Sequence, residues 1–323
     1  MTQWLLPENS EDFISGQAKK IESWRRDLLD LYTENGYQYV MPSMLEYVDS
    51  LNAYGKDLDL DTFKVVDQAT GKMMGISSDL TTQVSRIDSQ MDQNEVNKFC
   101  YAGSILRTRP LIQHSRELYQ IGAEYFGEES IGADVEVQSL LIKSLKLLNI
   151  KNIIIDLNNL DIYKSLIGQL NLSTIDCSTI AEAAMLKDND AIKELLSSHG
   201  NREVCNKILS LLEIYGDKSV LTDVVKLFPG DDKIKIIVEK LKIVCSELEK
   251  LSVKVSFDFS DIRGYQYHTG LIFSAYSKGF PSLISQGGRY DNINKAFGSI
   301  RPATGFSLDL RFIANNINNK KIK

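Results

Sequence analysis

The sequence predicts an α+β fold, an antiparallel sheet flanked by helices and interrupted by a helical insertion. Three observations lead there. Strand-rich runs fall in both the first half and the last quarter of the chain. The early runs come in pairs around polar turns, as hairpins do. The block from about residue 161 to 251 carries successive helical patterns with no strand between them.

Taken in order, Ile14, Ala18, Ile21, Trp24, Leu28, Leu31 and Tyr32 recur at helical spacing between Glu11 and Asn35, and Gly36 is placed to end that helix. Tyr37 to Pro42 reads as a short strand running into a proline, which cannot donate to a ladder and belongs at an edge or interface. Phe63–Val66 and Met73–Ile76 flank the polar stretch Asp67–Lys72 as a hairpin. A second pair, Lys98–Thr108 and Glu117–Phe126, is joined by a loop containing Pro110 and His114. Asp134 is expected to cap a helix with the apolar face Val137, Leu140, Leu141, Leu145 and Leu148, followed by a strand over Asn152–Leu157. Ala191–Ser198, Glu203–Ile214 and Lys233–Leu251 are the clearest helical patterns of the insertion. Val253–Phe257, Asp261–Tyr276 and Pro281–Ile284 are β-rich, Gly287-Gly288 suggests a tight turn, and a final helix is expected from about Thr304 to Asn315 before a polar tail. Leu106, Gln120 and Arg263 are expected on central strands. The division is residues 1–160 and 252–323 as the core and 161–251 as the helical insertion.

With 323 residues, 43% of them hydrophobic, the chain can bury a sizeable core. A net charge of −6 argues against a dominant nucleic-acid surface, which needs a basic patch to release counterions. No apolar run approaches the roughly 20 residues of a membrane span, and Met1 to Glu8 shows no basic, then apolar, leader, so a cytoplasmic location is expected. Cys100, Cys177, Cys205 and Cys245 are widely spaced and lack ligand or framework spacing, which argues against zinc and against a disulfide framework; no metal or other cofactor is expected.

Two polar clusters carry the chemistry. The period-2 rule puts Gln120, Gly122 and Glu124 on one strand face, with Arg107 on the neighbouring strand. Taken alone, they fit a solvated edge hairpin as well. The second cluster is Asp258, Asp261, Arg263, Gly264, Tyr265, Tyr267, His268 and Gly270, followed by Gly287-Gly288-Arg289-Tyr290-Asp291. Glycines beside Arg, Tyr and His suggest a ligand brought close to backbone.

Asp261 to Gly270, with Arg263-Gly264, paired aromatic positions and Thr269-Gly270, resembles the histidine-specific motif of histidyl-tRNA synthetases. Gly36–Pro42, Leu106–Glu124 and Gly287–Leu310 resemble motifs 1, 2 and the approach to motif 3 of class II aminoacyl-tRNA synthetases. The resemblance implies a class II synthetase-like antiparallel sheet and a histidine site. In that site Asp79, Thr81 and Gln120 would cradle the α-ammonium, Glu124 would face the imidazole and Arg263 the carboxylate, with Arg107, Tyr267 and His268 completing the set. The residue types suit this, because an ammonium needs acceptors and a carboxylate is well met by a guanidinium.

The synthetase pattern breaks in several places. Phe312 stands at the motif 3 arginine position, with Arg311 one residue early and so about 100 degrees round a helix. Arg107-Thr108-Arg109 alters motif 2, and no anticodon-binding domain is expected after the last helix. With these departures the chain is similar to the synthetase-like regulatory subunits of ATP phosphoribosyltransferase. That resemblance implies no catalysis of its own, histidine as ligand, and the short-form catalytic subunit of ATP phosphoribosyltransferase as partner. It also implies feedback by histidine on the first step of histidine biosynthesis, a homodimer formed through the motif 1 segment, and no tRNA. Two other readings stay open: a truncated synthetase-like enzyme or paralogue activating an amino acid, and a structural protein that has lost its ligand, which Ser77-Ser78 permits because it stands where the regulatory family has an Arg-Pro pair. Phe312 speaks against the first.

Overall fold

Trp24, Leu28, Leu29 and Tyr32 form the buried face of the first helix, Ser15–Glu34, at the spacing one side of a helix requires. Asn35 closes it and Gly36, at φ 88°, turns the chain into the first strand. The computed structural model describes residues 5–48, 60–109, 115–170, 172–197, 201–265, 267–293, 295 and 300–318. Pro110 and His114, Gln266 and the polar tail beyond Asn318 lie outside the described residues.

The strands are β1 (Gln38–Tyr39), β2 (Leu45–Tyr47), β3 (Lys64–Val66), β4 (Met73–Ile76), β5 (Asn97–Leu106), β6 (Glu117–Phe126), β7 (Ile153–Asn159), β8 (Tyr215–Gly216), β9 (Lys254–Asp258), β10 (Leu271–Ser277), β11 (Ser285–Arg289) and β12 (Ala303–Asp309). Nine of them form one sheet in the order β1-β5-β6-β12-β11-β10-β7-β9-β8, and β2-β4-β3 form a small second sheet. The hairpin expected between β3 and β4 is present. The centre of the large sheet is antiparallel, as expected, whereas β1 runs parallel to β5 and β7 parallel to β9. Parallel neighbours cannot be joined by a tight turn and need a crossover. Between β7 and β9 that crossover is the helical stretch Leu160–Glu249, built from helices Leu160–Ile167, Thr174–Met185, Asn189–Ser197, Arg202–Leu212, Val220–Leu227 and Asp232–Glu249.

The two faces of the sheet divide the labour. Ile121, Ala123 and Tyr125 of β6 join the main core with Leu28, Tyr32, Val137, Leu141 and Phe306. There Tyr32 meets Phe306 edge-on at 5.9 Å, and the Ser144 hydroxyl donates to the Tyr32 hydroxyl at 3.2 Å. Residues of β6 in the other phase, Leu118 and Phe126, belong to a smaller cluster with Leu80, Val84, Phe99, Tyr101 and Tyr290. That second face carries Gln120, Gly122 and Glu124.

Several local expectations are corrected. Thr304 to Asp309 is strand, not helix: β12 lies between β6 and β11, and the last helix is Leu310–Asn318. A strand covered on both faces has no polar alternation to betray it, and Ala303 to Phe306 are all buried. Gly287-Gly288 lies within β11 and makes no tight turn; the Gly305 carbonyl and the Phe273 ring leave no room for a side chain at 287. Pro281–Ile284 precedes β11, and the described residues of 261–270 form turns and loop, so Arg263 is on a turn and not on a central strand. The block expected to be wholly helical contains the edge strand β8, too short for a periodic signal. Ser130, not Asp134, occupies the N-cap of helix Ile131–Leu147; Asp134 sits in its first turn.

Candidate ligand-binding site

Gln120 and Glu124 sit on the same face of β6, and Tyr101, paired with Gly122 across the β5–β6 ladder, shares it. The space expected over Gly122 is taken by the Tyr101 hydroxyl, which a Cβ there would strike. Tyr101 donates to Glu124 Oε1 at 2.8 Å, and the Tyr290 hydroxyl at the end of β11 donates to Oε2. A Cβ at Gly305, directly opposite Glu124 on β12, would land on the same carboxylate. Glycine at 305 is thus what lets a buried carboxylate lie across the sheet.

The N-terminus of helix Leu80–Ser89 closes one side. Asp79 is its N-cap and accepts from Thr81 N at 3.0 Å and from Gln120 Nε2 at 2.9 Å. Gln120 Oε1 in turn accepts from Leu80 N at 2.8 Å, so its amide spans the helix start. The Thr81 hydroxyl lies 3.0 Å from that of Tyr101, linking the cap to the Glu124 cluster. Arg107, one residue beyond β5, donates through Nε to Ser78 O at 3.1 Å and so reaches the same helix start. Ser77 and Ser78 are buried; the Ser78 hydroxyl shares a 3.4 Å hydrogen bond with that of Thr62, at the position where the regulatory family has an Arg-Pro pair.

Aromatic rings form the opposite wall. Tyr267 stacks on Tyr290 with ring centroids 5.3 Å apart and meets His268 edge-on at 5.0 Å. His268 Nδ1 lies 3.2 Å from the Arg289 carbonyl, which can only accept, so Nδ1 carries the proton and Nε2 is left as an acceptor. Burial holds the His268 ring neutral by lowering its pKa to about 4, partly opposed by that carbonyl. Behind this wall Arg289 makes a buried ion pair with Asp134 at 3.0 Å. Lys164 Nζ donates to the His268 carbonyl.

Asp79, Thr81, Gln120, Glu124, Tyr267 and His268 therefore join one connected set, with Arg107 at its margin. Arg263 stands apart from that chain of contacts among the described residues: Nε donates to Asp261 Oδ1 at 2.7 Å, and Nη2 to Asp261, Ser274 and Tyr276. Tyr101, Tyr290 and Gly305 carry the pocket as much as the predicted residues. Tyr101 and Tyr290 stood in the runs read from sequence, but an aromatic on a strand ordinarily signals core packing. Arg311 pairs with Glu117 at 3.2 Å and lies over the Phe13 ring at 4.6 Å, while Phe312 is buried against Phe280 at 6.0 Å.

An antiparallel sheet with a motif 2-like hairpin, an acceptor-rich pocket on one face and helices on the other defines a class II aminoacyl-tRNA-synthetase-like core. A family model described as histidyl-tRNA synthetase matches residues 9–313. The ATP phosphoribosyltransferase regulatory subunit of Methylobacillus flagellatus is 43% identical over 98% of this chain and 82% of its own length. That of Nitrosospira multiformis is 41% identical over 96% of this chain and 81% of its own. The chain belongs to this family of ATP phosphoribosyltransferase regulatory subunits. Among solved structures, an ATP phosphoribosyltransferase regulatory subunit/histidyl-tRNA synthetase from Bacillus halodurans superposes with a TM-score of 0.86 at 20% identity, over 98% of this chain and 84% of that one. A histidine–tRNA ligase subunit from Alicyclobacillus acidocaldarius gives 0.77 at 21% identity, over 98% of both chains. At such identities these two speak for the fold.

Proposed function

We propose that the chain is a non-catalytic, histidine-sensing subunit that assembles with the catalytic subunit of ATP phosphoribosyltransferase and transmits feedback on the first step of histidine biosynthesis. The observation that carries this reading is the buried Glu124 carboxylate held between the Tyr101 and Tyr290 hydroxyls, beside Asp79 and the His268 acceptor. Acceptors of this kind suit a small ligand rich in N–H donors, with an ammonium at one end and an imidazole at the other. The position of Phe312 against Phe280 supports the non-catalytic half, because a class II enzyme needs a triphosphate-binding arginine there and Arg311 is committed to Glu117. Helices 160–249 are proposed as an insertion in this core, and the location as cytoplasmic. No helix among the described residues is long and apolar enough to cross a membrane.

Calorimetry with histidine tests the reading, alongside co-purification with the catalytic subunit. Histidine should bind, and Glu124→Ala should weaken it by at least about 1 kcal/mol, since the ligand ring is left without its hydrogen-bond partner in a buried site. In the complex, histidine should act through a coupling of about 1 to 3 kcal/mol between its site and the catalytic subunit. Absence of binding at millimolar histidine, or unchanged affinity in Glu124→Ala, sinks the proposal. Histidine-dependent pyrophosphate exchange would instead favour an amino-acid-activating enzyme.

A further inference from the structure

The Arg263 guanidinium lies over the same sheet face as the pocket. Gly122 pairs with Ser307, Ser307 with Gln286, Gln286 with Ser274 and Ser274 with Asp156, and cross-strand partners share a face. Arg263 Nη2 bonds to Ser274 in that row and to Tyr276 two residues along the strand. The row ends in acid: Asp156 is half-buried on β7, where it accepts from the Ser256 hydroxyl, and Asp258 follows on β9 with Lys187 at 3.7 Å.

A guanidinium has two edges that can grip a carboxylate. Asp261 occupies the edge formed by Nε and Nη2, binding with both its oxygens, and it is itself largely buried. Nη1 makes no hydrogen bond among the described residues. Asp156, paired with Ser274 across the β7–β10 ladder, is the neighbouring carboxylate on that face, one strand from the Ser274 hydroxyl that Arg263 contacts.

We infer that Asp261 is a positioning residue: it grips one edge of Arg263, keeps the guanidinium off Asp156 and leaves Nη1 as the donor for the ligand's carboxylate. The inference rests on the histidine-binding reading above and adds to it the element that sets selectivity for an amino acid over its decarboxylated or reduced analogues. Without the Asp261 clamp the guanidinium is free to turn toward Asp156, on the strand beside Ser274. The carboxylate preference then disappears although the rest of the pocket is intact.

The test is a ligand-by-mutant cycle using histidine and histidinol, which keeps the ammonium and imidazole but replaces the carboxylate with a hydroxymethyl group. The wild type should prefer histidine by about tenfold or more, the scale of one charge-assisted contact. Asp261→Asn should lose most of that preference while binding histidinol as the wild type does, and Asp261→Glu should recover part of it. A merely structural role would weaken both ligands alike. Full preference retained in Asp261→Asn overturns the inference, as does equal weakening of both ligands. The Arg263 side chain supplies a readout free of ligand: its Nε–H resonance, assigned by comparison with Arg263→Lys, should exchange slowly in the wild type and rapidly in Asp261→Asn. If histidine binds neither protein the proposed function fails, and an Nε–H left protected in Asp261→Asn separately overturns the clamp.

Discussion

Burial pushes the Glu124 carboxyl up to about 8, with the hydroxyls of Tyr290 and Tyr101 holding it below what burial alone would give. A carboxyl raised from 4.5 takes up a proton on folding across that interval, so its contribution makes the protein less stable as pH climbs from about 4.5 to about 8. His268 slopes the other way: a ring lowered from 6.5 to about 4 stays neutral when folded, and stability is lost as pH falls through that window. Glu124→Gln should abolish the first slope and leave the second, so thermal melts of variant and wild type should diverge as pH rises from about 5 to about 8, with the variant the more stable at the alkaline end. Identical pH profiles would show that Glu124 ionises normally. Gly305→Ala should displace the same carboxylate, and titration should find histidine binding weakened by at least about tenfold with the sheet still formed by circular dichroism. At this scale the alternation of Gln120, Gly122 and Glu124 was legible, because period 2 is a geometric property of any strand. The need for glycine at 305 was not, because it depends on a carboxylate reaching across from a strand far away in sequence.

Among the elements, helix Ile131–Leu147 is fastened to the pocket's back wall by Asp134 and Arg289, both buried. Replacing Arg289 by methionine strands a carboxylate in the interior and should cost about 3 to 5 kcal/mol in urea unfolding. Burial already raises the Asp134 pKa despite Arg289, so protonation should soften that loss at acid pH. A cost independent of pH would mean that Asp134 finds another cation. The crossover helix Asp232–Glu249 is capped by Asp231, which accepts from Lys233 N at 3.0 Å and Ile234 N at 3.2 Å, and Asp231→Ala should cost about 1 kcal/mol by the same measurement. The helices were legible in sequence wherever one stripe was apolar, as with Ile234, Val238, Leu241 and Leu248. The errors cluster on strands: β12 hides its period by burying both faces, and β8 has only two residues in which to show one.

For the whole molecule, the resemblance of Gly36–Pro42 to motif 1 predicts a two-fold dimer, and Tyr39, Met41, Met44, Leu45 and Tyr47 offer exposed apolar surface around that segment. Sedimentation at micromolar concentration should give a dimer and Met41→Asp should shift it toward monomer; a monomeric wild type would refute the assignment. The antiparallel centre of the sheet was foreseeable from paired runs around turns, whereas the parallel pairs β1–β5 and β7–β9 join strands separated by long segments and leave no local trace. The strand order also fixes a sequence of events in synthesis. Among the described residues β12 is the last strand to be made, yet it lies between β6 and β11, so the two parts of the large sheet have no common ladder until it slots between them. Up to that moment β6 and β11 each present an unpaired edge, a state prone to mispairing and slow to resolve. Gly305 lies on that late strand and Tyr101 and Tyr290 lie on opposite sides of it. A chain halted on the ribosome before β12 therefore holds Tyr101 and Glu124 apart from Tyr290, and the hydrogen bonds around the Glu124 carboxyl become a property that only the closed sheet acquires.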